Sequence, residues 1–427
     1  MSVGLIEELT ARGFAAQQSA PSAELESFLA EKPRTVYAGF DPTADSLHVG
    51  NLIPIIGLRH FQRAGHRAIA VIGGGTGMIG DPSGKDSERS LLDNETLAAN
   101  VEGQRRQLER LLDASGGVTA AKVVDNIEWL ASFSLIDFLR DVGKHFRIGE
   151  MLARESVRRR LEGEGLSFTE FSYQLLQAYD FYHLFRHEDC ELQIGGSDQW
   201  GNILGGTELI RKLSGADAHA VTFPLITTAT GEKFGKSAGN AVWLDPAQSS
   251  PYQFYQYFIR TDDRDVERYL HYFTFLPLEE IAALAAQHAA APERRDGQRK
   301  LAEEITRFVH GEQELAKVQR ATQILFGGEI SGLSDRELGE IFADVPSTTM
   351  LRDALAAGPP LAELLASTGL CPSKGAARKM IQSGGAYVNN QRAADPRQAV
   401  TTADLASEHV LVLRTGKKNY HLIRIDE

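Results

Sequence analysis

The stretch VYAGFDPTADSLHVGN, residues 36–51, constrains the fold more than any other part of this chain. Thr35–Ala38 predict a short strand, a turn with Gly, Asp and Pro follows, and His48–Asn51 fall in the first turns of a helix with Ser46 as the expected N-cap. Pro54, inside this helix, predicts a kink. A helix N-terminus after a tight turn presents free N–H groups and a positive dipole end, so this unit predicts a phosphate site.

Short apolar strands alternate with helices through the first half of the chain, which predicts parallel βαβ units. After the first strand, further strands are predicted at Ala68–Ile72, Lys122–Val124, Glu191–Ile194 and Val221–Ile226. Polar clusters follow the predicted strand ends at Gly39–Asp41, Gly73–Lys85, Asn126 and Gly195–Gln199. Because ligands bind at the carboxyl ends of strands in such sheets, these clusters predict one shared cleft.

The second half of the chain has a different pattern. Thr227–Asn240 reads TTATGEKFGKSAGN, and its glycines and low apolar content predict a mobile loop. From Pro251 to about Val345 the pattern is helical, and its stripe of Tyr and Phe residues is interpreted as helix-bundle core. Gly358–Pro360 predicts a linker. The tail predicts helices, a strand and a final hairpin.

Composition and charge narrow the class of protein. Of the 427 residues 42% are hydrophobic and 24% charged, as in soluble globular proteins, and no apolar run is long enough to span a membrane. The two cysteines, Cys190 and Cys371, are expected to be reduced, and the N-terminus does not resemble a signal peptide, so we expect a cytoplasmic location. The net charge is −12, yet residues 361–427 carry 9 Lys or Arg against 6 Asp or Glu, which is compatible with localised nucleic-acid binding.

Two glycine-rich patterns fit other nucleotide sites poorly. Gly75–Gly80 matches G-x-G-x-x-G after a strand, but Asp81-Pro82 follows at once and no acidic residue ends the next strand at the right distance. Gly80–Asp86 lacks the spacing of a Walker loop. No Ser/His/Asp set or carboxylate pair stands out for hydrolysis. The chain offers cations and amide donors, which favours catalysis by positioning and charge stabilisation.

Single residues in these patterns also have ordinary explanations. His48 seen alone is more often a helix-start histidine than a phosphate donor. Four cations would usually be solvated side chains, namely Lys85, Arg89, Lys233 and Lys236. However, Lys233 and Lys236 lie three apart on a glycine-hinged loop, which suits a triphosphate whose charge moves during a reaction.

The motif HVGN followed by KFGKS, on either side of a parallel α/β body, resembles the signature pair of class I aminoacyl-tRNA synthetases. The motifs YAGFDPTADSLHVGN, GDPSGKDSER, FTEFSYQLLQAYDF and LQIGGSDQWGN, in this order, are similar to those of bacterial tyrosyl-tRNA synthetases. The tail LAELLASTGLCPSKGAARKMIQSGGAYVNN resembles an S4-type RNA-binding domain. The resemblance covers essentially the whole chain.

This resemblance implies an α/β enzyme with a defined reaction. Its expected parts are a Rossmann-like catalytic domain with a parallel sheet at 1–226, the mobile KFGKS loop and linker at 227–250, an α-helical domain on the anticodon side of tRNA at 251–350, and a small α+β S4-like RNA-binding domain at 358–427. The implied reaction joins L-tyrosine to ATP, with Mg²⁺ as companion of ATP and no tightly bound protein metal. Pyrophosphate leaves, and the tyrosyl group then passes to the 3′ end of tRNA(Tyr). A homodimer without membrane association is also implied.

The resemblance also implies roles for individual residues. Charge stabilisation on the phosphates is implied for His48, Thr43, Lys85, Arg89, Lys233, Lys236 and Ser237. Tyrosine binding is implied for Tyr37, Asp81, Asn126, Tyr173, Gln177, Asp180 and Gln199. ATP binding is implied for Gly39, Asp41, Thr43, His48, Gly50, Asn51, Gly196, Asp198 and Lys236. Binding of tRNA is implied for Lys374, Arg378, Lys379, Arg414, Lys417 and Lys418.

The residue pattern supports the tyrosine site on physical grounds. Tyr173, Gln177 and Asp180 are spaced i, i+4 and i+7, so one helix face presents all three. A tyrosine ammonium group needs such acceptors, and a phenol needs a donor and an acceptor. Tyr37 with Asp180 supplies that hydroxyl-reading pair, which argues against a tryptophanyl enzyme because indole does not require it.

Two other functions on related folds are disfavoured, and two residues differ from the family pattern. The retained His48 argues against an inactive RNA-binding or splicing protein on the same fold, and the basic tail argues against a nucleotidyltransferase that makes a small cofactor. Asn51 stands where the family usually has a second histidine, and Ala38 stands where relatives often have cysteine. These departures concern the strength of ATP binding.

Overall fold

The computed structural model describes residues 4–83, 92–117, 119–163, 165–231, 234–237, 240–325, 327–330, 332–343 and 345–426. The chain divides into two compact units, Met1–Val309 and His310–Glu427. No helix in the described part of the chain is both long enough and apolar enough to span a bilayer.

The first unit is built on a six-stranded sheet. Its strands are β1 Gln17–Gln18, β2 Thr35–Phe40, β3 Arg67–Ile72, β4 Lys122–Asp125, β5 Cys190–Gly196 and β6 His219–Phe223. They lie in the order β1-β6-β5-β2-β3-β4, and all neighbours are parallel except β1, which runs antiparallel to β6. The parallel sheet confirms the predicted fold class. The last predicted strand ends at Phe223, before the expected Ile226, and β1 was not predicted.

The strand order reverses at β2, which lies between β5 and β3. The carboxyl ends of β2 and β5 form the switch point of the sheet, where open α/β sheets bind ligands. The central strands are buried almost throughout, as expected for strands covered by helices on both faces. This buried sheet supplies the rigid base on which the polar strand-end residues stand.

In the part of the chain that the structure describes, fourteen α-helices accompany the first sheet. They are α1 Leu5–Ala11, α2 Ser22–Glu31, α3 Leu52–Arg63, α4 Asn94–Leu111, α5 Ile127–Leu130, α6 Leu135–Asp141, α7 Ile148–Leu152, α8 Glu155–Glu162, α9 Phe168–Glu188, α10 Trp200–Ser214, α11 Pro251–Ile259, α12 Val266–Phe273, α13 Leu278–Ala290 and α14 Asp296–His310. The longest, α9, begins with a capping box in which Ser167 and Glu170 bond each other's backbone N–H groups.

The helix after β2 begins later than predicted, and a different residue caps it. A 3₁₀ turn at Val49–Asn51 precedes α3, and His48 caps that turn, so the prediction of Ser46 as N-cap is wrong. Ser46 is buried, and its Oγ accepts a hydrogen bond from Gln107 Nε2. Pro54 is the third residue of α3, where its missing N–H has no intrahelical partner to lose, so α3 continues through it.

Part of the predicted loop at Thr227–Asn240 has regular structure. β7 Lys236–Ser237 pairs antiparallel with β8 Asn240–Ala241. After this small hairpin, Val242 and Leu244 form backbone hydrogen bonds with Val49 and Leu47, at the entrance to α3. The segment that carries KFGKS is therefore joined to the segment that carries HVGN.

Among its described residues, the second unit contains a five-stranded sheet and five α-helices that begin within it. Its strands are β9 Ser347–Leu351, β10 Ala386–Val388, β11 Gln391–Arg392, β12 Val410–Thr415 and β13 Asn419–Asp426, in the order β11-β10-β12-β13-β9. Its helices are α15 Glu312–Leu325, α16 Asp335–Ile341, α17 Arg352–Ala356, α18 Leu361–Ser367 and α19 Lys374–Gln382. Gly358–Pro360 lies inside this unit, where Pro359 O accepts a hydrogen bond from Val400 N–H. The predicted final hairpin is β12–β13.

Candidate active site

A buried tyrosine of β2 and a buried aspartate of α9 interact electrostatically in the first unit. Tyr37 lies on β2 with 1% of its surface exposed, and its hydroxyl has no hydrogen-bond partner among the described residues. Asp180, on α9, is also buried. Burial and the Asp180 carboxylate raise the pKa of Tyr37 well above its ordinary value, so its hydroxyl is a donor at neutral pH. A buried hydroxyl without a hydrogen-bond partner is energetically unfavourable unless a ligand supplies that partner.

Two donors hold the Asp180 carboxylate. Asn126 Nδ2 donates to Oδ2 at 2.9 Å and Trp129 Nε1 donates to Oδ1 at 2.7 Å. Trp129 was not assigned a role from the sequence; its only signal was its place three residues after Asn126, beyond a strand end. Burial raises the pKa of Asp180 to about 7, although these two hydrogen bonds oppose the rise.

Asn126 is itself fixed on both sides of its amide. Its Oδ1 accepts from Gly75 N–H at 2.8 Å, and its Nδ2 also donates to Thr76 Oγ1 at 2.9 Å. Asn126 therefore links the loop after β3 to Asp180. Both ends of its amide are engaged, and one of its hydrogen bonds holds the Asp180 carboxylate.

A second acidic group lies where the β2 and β3 ends meet. Asp81 Oδ2 accepts from Gln199 Nε2 at 2.7 Å, and Tyr173 Oη donates to Asp41 Oδ1 at 3.2 Å. Burial and the neighbouring Asp41 raise the pKa of Asp81 to about 6. Asp41, predicted to bind ATP, is thus in contact with the Tyr173 end of the site. Gln177 is half-buried on the same helix as Tyr173.

The hydrogen bonds of His48, at the start of the 3₁₀ turn before α3, select one tautomer of its ring. Its Nδ1 accepts a hydrogen bond from Gly50 N–H at 3.0 Å, so Nε2 carries the proton. Asn51 Oδ1 accepts from His48 N–H at 3.0 Å, which closes a capping box. A Cβ on Gly50 would lie 2.7 Å from His48 Cε1, so glycine is required for the ring to fold back over its own turn. The geometry makes Nε2–H the group that is oriented to donate.

The remaining predicted ATP residues line the strand ends. Gly39 is exposed near the end of β2, and a Cβ built there would meet no atom within 4 Å, so this surface is open. Gly196 ends β5, and Asp198 lies in the 3₁₀ turn that follows it. Thr43 is exposed, and its N–H donates to Asp41 O.

Five of the residues predicted to act on the phosphates lie in two segments, 85–89 and 233–237. Lys85, Arg89 and Lys233 lie outside the described residues, and Lys236 and Ser237 are described as backbone of β7 only. Between the two lysines of KFGKS, Phe234 and Gly235 are both described and both buried.

The predicted tRNA-binding cations fall into two groups. Four of them are exposed with no described ion pair: Arg378, Lys379, Lys417 and Lys418. Lys374 is exposed but forms an ion pair with Glu363 at 2.9 Å. Arg414 is only 6% exposed, and its guanidinium lies 3.8 Å from the ring centroid of Tyr387, so it packs inside the second unit. That position does not support the predicted contact of Arg414 with a phosphate.

Fold, signature motifs and cleft together define a class of protein. Residues 29–327 match the family model of class I tRNA synthetases for tryptophan and tyrosine. Residues 337–423 match the C-terminal domain model of tyrosine–tRNA ligases. The chain is 51% identical to the tyrosine–tRNA ligase of Roseiflexus castenholzii over 423 residues, which cover 99% of each protein. It is 51% identical to that of Geobacillus kaustophilus over 421 residues, 98% of this chain and 99% of the relative.

A solved structure agrees with these matches. The C-terminally truncated mitochondrial tyrosyl-tRNA synthetase of Aspergillus nidulans superimposes with a TM-score of 0.70 at 33% identity, and the match covers 76% of this chain and 95% of that one. The chain is a class I aminoacyl-tRNA synthetase. Within that class it belongs to the tyrosine–tRNA ligase family. It uses ATP to activate L-tyrosine and transfers the tyrosyl group to tRNA.

Proposed function

We propose that Tyr37 and Asp180 recognise the phenolic hydroxyl of tyrosine. The unpartnered, buried Tyr37 hydroxyl supports this proposal most strongly. Tyr37 Oη donates to the substrate oxygen, and the substrate O–H donates to the Asp180 carboxylate, which Asn126 and Trp129 hold in place. Phenylalanine would leave the buried Tyr37 hydroxyl without a partner and would bring no O–H to the Asp180 carboxylate, so it is rejected.

The ammonium group of tyrosine binds at the opposite end of this pocket in our proposal. Asp81 and Asp41 supply negative charge there, and the hydroxyl of Tyr173 and the amides of Gln177 and Gln199 complete the polar surroundings. Gln199 orients Asp81 through its hydrogen bond. The two ends of the substrate are thereby read by separate acidic groups.

Adenylate formation then needs only positioning and charge stabilisation. A tyrosine carboxylate oxygen attacks the α-phosphorus of ATP, which enters with Mg²⁺ on its phosphates, and the bond to pyrophosphate breaks. His48 Nε2–H, Thr43, Lys85, Arg89, Lys233, Lys236 and Ser237 stabilise the charge on the phosphates. Gly39, Gly50, Asn51, Gly196 and Asp198 contact the nucleoside. No protein base is required, because the attacking carboxylate is already ionised.

Transfer of the tyrosyl group to tRNA is the second step of the proposed reaction, and different segments of the chain serve each step. The terminal ribose hydroxyl of tRNA(Tyr) attacks the tyrosyl carbonyl, and AMP leaves. Exposed Lys374, Arg378, Lys379, Lys417 and Lys418 contact the RNA backbone from the segment 358–427, while 251–350 faces the anticodon side. Segment 1–226 carries the chemistry and 227–250 the KFGKS loop. Both cysteines are free, which agrees with work in the reducing cytoplasm.

We further propose that the enzyme is a homodimer. Seven exposed apolar side chains fall within residues 135–168 and are called the apolar patch: Leu135, Ile136, Leu139, Ile148, Leu152, Leu161 and Phe168. A concentration of exposed apolar side chains in one stretch of the sequence supports an interface there. The buried ion pair of Arg160 with Glu170 joins α8 to α9, the helices that carry Leu161 and Phe168.

Tyrosine-dependent ATP–pyrophosphate exchange tests the assignment of the pocket. We expect exchange with tyrosine and not with phenylalanine or tryptophan. Tyr37→Phe should raise KM for tyrosine about five- to tenfold, because one buried hydrogen bond is lost, and should narrow the preference for tyrosine over phenylalanine. The matched control is Tyr182→Phe, which removes a hydroxyl from a half-buried tyrosine of α9. Unchanged selectivity in Tyr37→Phe would refute the phenol assignment.

A further inference from the structure

The aromatic stripe of α11 and α12 does more than fill a helix-bundle core. Phe234, from the KFGKS motif, is buried among three of its rings. Its ring stacks on Phe273 with centroids 5.1 Å apart and an interplanar angle of 14°. It meets Tyr269 and Tyr257 edge-on, at 5.3 and 5.7 Å. The stripe therefore forms a seat for one residue of the signature motif.

A backbone hydrogen-bond chain continues from this seat to the HVGN turn. Gly235 N–H donates to Tyr257 Oη at 2.9 Å. Gly235 O accepts from Val242 N–H at 3.0 Å, and Val242 O accepts from Val49 N–H at 3.0 Å. Val49 follows His48 directly. The Tyr257 hydroxyl is thus connected, through described backbone groups, to the turn that orients His48.

Gly235 is suited to this junction for a steric reason. Its φ is +92°, a conformation that side-chain-bearing residues rarely adopt. A Cβ there would also lie 3.1 Å from Val49 Cγ2. The position therefore combines left-handed backbone with close approach to the HVGN segment.

The preceding part of the loop is held separately. Ala229 N–H donates to Asp265 Oδ2 at 2.7 Å, and Arg268 donates to Thr227 O at 2.6 Å. Asp265 and Arg268 belong to the start of α12 and form an ion pair with each other. The chain from 227 to 244 is thus attached at its stem, at Phe234–Gly235 and at Val242–Leu244.

We propose that Phe234 and Gly235 are the anchor of the KFGKS segment and that Tyr257 is a positioning residue for adenylate formation. Lys233 directly precedes this anchor and Lys236 directly follows it. Any displacement of Phe234–Gly235 therefore moves both lysines relative to the ATP phosphates. The inference rests on the proposed phosphate role of these lysines and adds the residues that fix their attachment.

Tyr257→Phe is the sharpest test, because it keeps the ring and removes only the acceptor of the Gly235 N–H. We expect the single-turnover rate of adenylate formation to fall about five- to tenfold. Phe234→Ala removes the ring from among the three aromatic residues. We expect the rate of adenylate formation to fall about 100-fold, as when catalytic groups are slightly misplaced. Phe234→Leu should recover part of that rate. Tyr255→Phe is the control: it removes a buried hydroxyl from the same helix, on the side near Glu303 of α14.

Two readouts separate positioning from loss of folding. The dissociation constant of tyrosine, measured by equilibrium dialysis, should not change, because the proposed tyrosine groups lie on other elements. Transfer of tyrosine from preformed adenylate to tRNA should also be unchanged, because pyrophosphate has already left. Trypsin should cut after Lys233 or Lys236 faster in Tyr257→Phe than in the control, with fragments identified by mass.

The outcomes distinguish this inference from the proposed function. If the wild type exchanges pyrophosphate with tyrosine and Tyr257→Phe matches it in adenylate rate and cleavage, the anchor is refuted and the proposed function stands. A Tyr257→Phe enzyme that loses tyrosine binding and transfer in equal measure would also refute the anchor. Absence of tyrosine-dependent exchange in the wild type would overturn both.

Discussion

Asp180 is the residue whose chemistry is most strongly set by its surroundings. Burial opposes its ionisation, while Asn126 and Trp129 each donate a hydrogen bond that favours it. The balance raises the pKa of Asp180 to about 7. The proposed recognition of tyrosine uses the ionised form, because the carboxylate must accept the substrate O–H. Recognition is therefore linked to pH within the physiological range.

This linkage predicts a pH profile for tyrosine activation. As pH falls below 7 the acceptor becomes protonated, so kcat/KM for tyrosine should fall about tenfold per pH unit, with KM carrying the change. In Asp180→Asn the transition near pH 7 should disappear from the profile. The transition from Asp81, whose pKa is about 6, should remain. The measurement is pyrophosphate exchange from pH 5 to 9. A wild-type profile that is flat between 6 and 8 would contradict the assignment.

For single residues, the sequence motifs identified the functional side chains but not all of their contacts in the folded chain. Tyr37 and Asp180 were predicted as a pair, and both are buried in the first unit, where the Asp180 carboxylate helps to raise the pKa of Tyr37. Trp129 was not assigned, because its hydrogen bond to Asp180 spans residues 51 apart and no local pattern encodes it. Arg414 was predicted to reach RNA, but alternation along a hairpin does not tell which face the rest of the domain covers.

The start of α3 shows how a tertiary contact can override the local N-cap preference of a serine. Ser46 has the right chemistry for an N-cap, but Gln107 from α4 engages its hydroxyl, and His48 caps the turn two residues later. The short strands β1 and β9 were missed for a related reason. Each is defined only by a distant partner, β6 and β13 respectively, and neither has the apolar alternation that predicts a strand.

His60, on α3, makes the stability of this element depend on pH. Its ring is 4% exposed and lies between Phe14 and Phe275. Burial, with Arg12 and Arg63 nearby, lowers its pKa to about 3. The unfolded chain, with an ordinary histidine pKa near 6.5, therefore binds a proton below pH 6.5 that the folded chain does not bind. The folded state loses stability as pH falls from 6.5 towards 3.

The expected loss is measurable by urea denaturation. At pH 5 the His60 contribution should be about 2 kcal/mol smaller than at pH 8. In His60→Phe, which keeps an apolar ring between the two phenylalanines, the free energy of unfolding should depend less on pH by that amount. The difference in pH dependence between wild type and His60→Phe isolates the contribution of His60, because the other titrating groups are present in both proteins. Equal pH slopes for wild type and His60→Phe would contradict the assignment.

For the molecule as a whole, the apolar patch on α6 to α9 is the surface feature that a lone subunit does not explain. Ile148, on α7, is 61% exposed, and so is Leu351 of β9 in the second unit. These two side chains are therefore matched in exposure, and only Ile148 belongs to the apolar patch. This match gives a controlled test of the homodimer.

We expect the wild type to sediment as a dimer at micromolar concentration and Ile148→Glu to sediment as a monomer. A carboxylate buried without a partner in an interface costs more than about 1.4 kcal/mol, so the dimer dissociation constant should rise at least about tenfold. Leu351→Glu should remain dimeric, because Leu351 is not one of the seven residues of the apolar patch. Circular dichroism establishes that each variant is folded. A monomeric wild type, or equal dissociation constants for both variants, would exclude the patch as the interface, since a change of charge alone affects both variants alike.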